Sequence, residues 1–151
     1  MKEFKSVEDI LDFAIASEQE AVEFYSSLAN QSSNEAMKLV FEQFAKEEMG
    51  HKAKLTVIKA TGDNTLKNMQ VNDLKIGDYL VDVVAKPNMS YQEALIVAMK
   101  KEKSAFKLYL NLSEKVNSPE YKDLFLALAS EESKHKLRFE IEYDEYVMRE
   151  N

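Results

Sequence analysis

The chain carries one pattern twice: a glutamate, then thirty residues later a Glu-x-x-His pair. The first copy is Glu18 with Glu48 and His51, the second Glu102 with Glu132 and His135. A shift of 84 residues lays one copy on the other without a gap. The same shift carries Ser6 onto Ser90, Leu11 onto Leu95, Ala14 onto Ala98, Tyr25 onto Tyr109, Leu28 onto Leu112 and Phe41 onto Phe125. Repetition at this spacing means one supersecondary unit used twice, packed about a pseudo-twofold axis.

The unit is a helical hairpin. Val7, Leu11, Ala14, Glu18, Ala21, Tyr25 and Leu28 follow one another in steps of four and three, which marks one face of a helix. A polar loop at Asn30–Asn34 turns the chain. A second face then reads Met37, Phe41, Phe44, Glu48, His51, Leu55 and Ile58. The second hairpin repeats both faces, as Tyr91, Leu95, Ala98, Glu102, Ala105, Tyr109, Leu112 and Val116, and then Tyr121, Phe125, Leu128, Glu132, His135 and Phe139. Capping boxes are expected at Ser6–Asp9 and Ser90–Glu93, an N-cap at Ser118 before Pro119, and a left-handed C-terminal cap at Gly62.

The hairpins are expected to span residues 6–62 and 90–149, joined by a long crossover at 63–89 that carries a short helix near Asp78–Ala85. A connection of that length suits a segment running the length of the bundle, which makes the second and third long helices parallel. The expected fold is therefore all-α: one ferritin-like domain over residues 1–151, a four-helix bundle of two repeated helical hairpins. Three glycines and two prolines in 151 residues agree with long, uninterrupted helices.

Charge and composition narrow the function. A net charge of −7 argues against nucleic-acid binding. Without cysteine there is no disulfide, thiolate metal site, iron–sulfur cluster or thiol nucleophile. No apolar stretch is long enough to span a bilayer, and Met1–Lys5 lacks the apolar signal of a secreted chain, so a cytoplasmic location is expected.

Most helical glutamates are solvated, and Glu20, two residues past Glu18 and roughly 200° around the helix, fits that description. Glu18, Glu48, Glu102 and Glu132 do not, because each interrupts an apolar stripe at a core position. Four uncompensated buried carboxylates are prohibitive, and no Lys or Arg falls on these faces. Two divalent cations would balance them with both histidines neutral. A Glu from each of two helices and a Glu-x-x-His from each of the other two is the arrangement that holds a dinuclear metal centre in a bundle. The expected metal residues are Glu18, Glu48, His51, Glu102, Glu132 and His135, the glutamates acting in catalysis through the metals. Carboxylate and imidazole donors suit iron or manganese, with zinc able to occupy the site. Tyr25 and Tyr109 are expected to hydrogen-bond a glutamate of the facing hairpin. Glu47 and Glu131, one residue off the face, are read as outer to the metal or solvated.

These residues resemble the diiron domain of rubrerythrin, in the ferritin-like superfamily, from about Ser6 to Phe139. The resemblance implies two iron ions on the six residues named, reduction of hydrogen peroxide at the diferrous site, and a homodimer. Two departures bear on this. Rubrerythrins usually carry a rubredoxin module with four cysteines, absent here, so electrons are expected from a separate donor such as a rubredoxin-type protein. They also place a further glutamate three residues after the one on the third long helix, where this chain has Ala105. Two other functions remain open, a ferroxidase or iron-handling protein that reacts with oxygen, and a bundle that binds metal without catalysis.

Overall fold

The computed structural model describes residues 3–71, 73–81 and 89–150. Four long helices dominate it: α1 (Val7–Gln31), α2 (Glu35–Thr61), α4 (Tyr91–Lys115) and α5 (Pro119–Glu150), with a single-turn α3 (Asn64–Lys67) and a 3-10 turn at Ile76–Tyr79 in the crossover. Among the described residues there is no strand, only an isolated antiparallel bridge between Glu3 and Lys75. None of the helices described is long and apolar enough to cross a membrane.

The helix starts follow local chemistry. Ser6 Oγ accepts the Asp9 amide at 3.2 Å, while the Asp9 carboxylate reaches back to the Lys5 amide at 3.1 Å rather than to Ser6. Ser90 and Glu93 form a complete capping box. Asn34 Oδ1 accepts the amides of Ala36 and Met37, satisfying two of the donors that α2 leaves free at its start. Gly62 differs from expectation. Its φ of −59° and ψ of 137° lie outside the left-handed region. Asp63 immediately caps α3, so the chain leaves α2 extended. Space, not backbone sign, requires the glycine: a Cβ there would meet Leu66 Cδ2 at 2.6 Å and the Ile58 carbonyl at 2.8 Å.

α1 packs along α2 and α4 along α5, giving two antiparallel hairpins. The core divides into two apolar ends. One holds Val7–Ala14 of α1, Leu55 and Ile58 of α2, Leu108–Val116 of α4 and Phe125–Ala129 of α5. The other holds Ala21–Ala29, Met37–Ala45, Ala94–Ala98 and Phe139. The start of α4 therefore lies with the start of α2, and the two run parallel, as the long crossover requires. Phe41, Phe125 and Phe139 are fully buried, and truncating any of them to Ala costs about 3–5 kcal/mol.

The crossover closes the first end. Leu66, Met69, Val71, Leu74 and Tyr79 join that apolar cluster, and Phe4 packs on Tyr79. The short helix expected near 78–85 is not what the described part shows. The 3-10 turn ends at Tyr79, Leu80 is extended, and residues 82–85 lie outside the described residues. Gly77 and Asp78 favour a turn here, and the apolar residues after them lack helical periodicity.

Candidate metal centre

Between the two apolar ends lies a single polar layer. Glu18, Glu48, His51, Glu102, Glu132 and His135 are each 1–3% exposed. All six residues expected from the sequence meet there, each placed by the same helical stripe that buries its apolar neighbours.

Their donor atoms fall into two groups. Glu18, Glu48, His51 and Glu132 each offer one atom within 4.8 Å of the others, and so do Glu48, Glu102, Glu132 and His135. Glu48 and Glu132 belong to both. His51 Nδ1 lies 2.7 Å from Glu132 Oε1 and 3.3 Å from Glu48 Oε1. His135 Nδ1 lies 3.2 Å from Glu48 Oε1 and 3.5 Å from Glu102 Oε1. The imidazoles stand nearly parallel, 6.4 Å apart. Among the described residues, six buried side-chain atoms make no aligned hydrogen bond, however near they lie to one another, and they are one atom from each of these residues: Glu18 Oε2, Glu48 Oε1, His51 Nδ1, Glu102 Oε2, Glu132 Oε1 and His135 Nδ1. Buried polar atoms are nearly always paired. Orphans gathered at one point are the signature of a cation site.

The remaining atoms of these side chains are held from outside. The Tyr25 hydroxyl donates to Glu102 Oε1, and that of Tyr109 donates to Glu18 Oε1 at 2.5 Å, so each tyrosine reaches a carboxylate of the opposite hairpin. Burial first, then the neighbouring carboxylates, push both phenols well above their ordinary range, so they stay protonated donors. Each imidazole turns Nδ1 inward and Nε2 outward. His51 Nε2 pairs with Glu131 and His135 Nε2 with Glu47, at 3.3 Å for the latter. A carboxylate on Nε2 fixes the ring and leaves Nδ1 for a metal. Sequence placed Glu47 and Glu131 off the face. That each meets the histidine of the other hairpin follows from the pseudo-twofold axis. Phe44, expected as plain core, stacks on the His135 ring with centroids 4.0 Å apart.

Four carboxylates gathered in one buried layer repel one another and resist ionisation. Burial pushes Glu18 up to about 8, and raises Glu102 and Glu132, with the neighbouring carboxylates adding to the effect. Burial also pulls the Glu48 carboxyl up, but its contacts with His135 and His51 outweigh this and hold it below the usual range. Burial opposes charge on the imidazoles, yet contacts with Glu18 and Glu48 raise His51 to about 11, and contacts with Glu102 and Glu48 raise His135 to about 10.

One side of the layer opens to a cavity of about 50 Å³ between α1 and α4, bounded by Glu18 and Glu102 within and by Glu20 and Lys101 at its outer end. Ala105 lines it. A fifth buried carboxylate, Glu142, lies farther along α5 and is not part of the layer. It accepts from the Tyr91 hydroxyl and from Arg149. Steps of three, four and three from Glu132 through His135 and Phe139 lead to it, so it continues the inner face of α5.

Among curated proteins none matches the chain. Two solved structures share its fold. A hypothetical protein from Pyrococcus furiosus is 29% identical, with a TM-score of 0.70 over 93% of this chain and 89% of its own. A candidate ferritin-like diiron-carboxylate protein from Thermotoga maritima is 19% identical, with a TM-score of 0.80 over 97% of this chain and 99% of its own. The model of the ferritin-like domain matches residues 6–140, which contain the whole polar layer, and the chain belongs to that family.

Proposed function

We propose that the chain binds two iron ions between its hairpins and reduces hydrogen peroxide with them, in the manner of a rubrerythrin. The observation that carries this reading is the division of the donor atoms into two groups that share Glu48 and Glu132. One ion would be held by His51 Nδ1, Glu18 and the shared pair, the other by His135 Nδ1, Glu102 and the same pair. The six orphaned atoms fit such an occupant, and two dications would balance four carboxylates. Oxygen and nitrogen donors without sulfur suit iron or manganese, and redox work favours iron.

Two ferrous ions bound there would supply the two electrons that split the O–O bond of peroxide, whereas oxygen needs four to reach water. The chain's own residues hold the geometry. Tyr25 and Tyr109 fix Glu102 and Glu18, and Glu131 and Glu47 fix the imidazoles. The apolar ends exclude bulk water, leaving the α1–α4 cavity as a way in for a small molecule. Ala105 offers no carboxylate, so this reading depends on the six residues alone. A separate one-electron donor, such as a rubredoxin-type protein, would return the site to its reduced state.

Stopped-flow oxidation of the anaerobic, iron-loaded protein tests the reading. Peroxide is expected to react faster than oxygen. Rates that favour oxygen would replace it with the ferroxidase alternative, and no oxidation by either would leave a metal-binding bundle.

A further inference from the structure

The cavity beside the polar layer has a character the peroxide reading does not require. Its floor is carboxylate, from Glu18, Glu48, Glu102 and Glu132, but its walls carry Phe13, Ala14, Ala21, Ala105 and Leu108. Three of these are alanines, set on the two facing helices, and they keep the space open where larger side chains would fill it. The roof comes from the crossover, through Tyr79 and Val81. That roof is pinned: the Ser104 hydroxyl donates to the Tyr79 carbonyl, Asn111 Nδ2 donates to the Tyr79 hydroxyl at 2.7 Å, and Lys107 Nζ lies 5.7 Å from the ring centroid. The Ser104 hydroxyl is thereby engaged, leaving the Ser17 hydroxyl as the polar group of the walls between the carboxylate floor and the mouth. At the outer end Lys101 lies 3.9 Å from Glu20 and 5.6 Å from the Phe24 ring, so the mouth is polar. A preformed pocket with apolar walls and a polar floor suits a ligand with one apolar end and one polar end. Water gains little in such walls, since it needs two to four polar partners.

We propose that this cavity receives the alkyl group of a small organic hydroperoxide, with the hydroperoxide group turned toward Glu18 and Glu102, and that Ala105 sets the size of group accepted. This rests on the peroxide-reducing reading and names its substrate class. The reaction is ROOH + 2H⁺ + 2e⁻ → ROH + H₂O. The O–O bond breaks and each oxygen takes up a proton; two ferrous ions, held by the six residues of the layer, would supply the two electrons, one each. The alkyl group is unchanged and leaves as the alcohol.

The test pairs binding with rates. Crystals of the metal-loaded protein pressurised with xenon, an apolar probe of the void itself, are expected to show xenon between Ala105 and Ala14. Ala105→Leu should abolish it. In single-turnover oxidation of the iron-loaded protein, ethyl hydroperoxide should react, and Ala105→Leu should lower the ratio of its rate to that of hydrogen peroxide by about tenfold or more, since one misplaced methylene in an apolar pocket discriminates by that order. Ser17→Leu, which fills the cavity from the half-exposed side of α1, should lower the same ratio if Ala105→Leu fails to fold. No xenon in the wild-type cavity, hydrogen peroxide reacting while ethyl hydroperoxide does not, or an unchanged ratio in the filling variants would each overturn the inference and leave the peroxide reading standing. A protein that reacts with neither peroxide would fail that reading, and the inference with it.

Discussion

Removing one hydroxyl from Tyr25 or Tyr109 takes away the donor that fixes Glu102 or Glu18. Neither tyrosine supplies a candidate metal atom, so Tyr25→Phe and Tyr109→Phe are expected to keep their metal and to slow peroxide oxidation by about tenfold, the lower end of what outer hydrogen-bond partners contribute. Metal analysis and stopped-flow rates on the same samples check this. Loss of metal in either variant would mean the hydroxyl maintains the site's structure and not only its orientation. At this scale the sequence was legible where burial and periodicity coincide. Glu18 and Glu20 differ by two positions, and helical geometry alone sends one inward and the other out; the structure has Glu18 at 2% exposure and Glu20 exposed. What periodicity could not tell is which partner an outward atom meets. Glu47 and Glu131 sit one step off the stripe, where a solvated side chain and a clamp on an imidazole look alike. The Phe44–His135 stack is a matter of side-chain direction across the hairpins, and no spacing within one helix encodes it.

The long helices were legible for a related reason: their faces hold a 3.6-residue period for about five turns or more, and the polar caps at Ser6, Asn34 and Ser90 sit where the period begins. The crossover was not, because its buried residues, Leu66, Met69, Val71, Leu74 and Tyr79, follow no period. They dock singly onto an end of the bundle that other elements have already shaped. Gly62 shows how the same residue type answers two demands. Sequence assigned it to backbone sign, whereas the structure assigns it to close approach, with Leu66 Cδ2 and the Ile58 carbonyl inside the reach of any Cβ. Gly62→Ala is therefore expected to lower stability by about 1–3 kcal/mol, as overpacking does. Thermal or denaturant unfolding measures it. A more stable variant would show that α3 shifts freely and that the approach is not a constraint.

For the molecule as a whole, the polar layer divides the core, and its charge ties stability to pH and to metal. Without metal, the folded state holds protons that the unfolded chain gives up earlier. Burial, assisted by the Glu48 charge, raises Glu18 from 4.5 to about 8. Contacts with the glutamates, overcoming burial, raise His51 from 6.5 to about 11 and His135 from 6.5 to about 10. A group raised on folding contributes fully below its unfolded value and loses that contribution as pH climbs through its folded value. The metal-free protein is therefore expected to lose stability between pH 4.5 and about 8 through Glu18, and between 6.5 and about 10 to 11 through the histidines. Melting temperatures of the chelated protein should fall as pH rises across these windows. Metal loading displaces the protons, so the loaded protein should melt higher than the chelated one, and the gap should widen with pH. At a hundredfold excess over the dissociation constant, binding adds about 2.7 kcal/mol per site. Melting temperatures that rise with pH in the chelated protein, or that ignore metal, would count against a buried cation site. The central claim, two ions sharing Glu48 and Glu132, is tested most directly by native mass spectrometry of the protein loaded with ferrous iron without oxygen. Two ions per chain are expected in the wild type and in Glu20→Ala, and loss of both together in Glu48→Ala or Glu132→Ala. One ion per chain in the wild type, or equal occupancy in all of these variants, would contradict it.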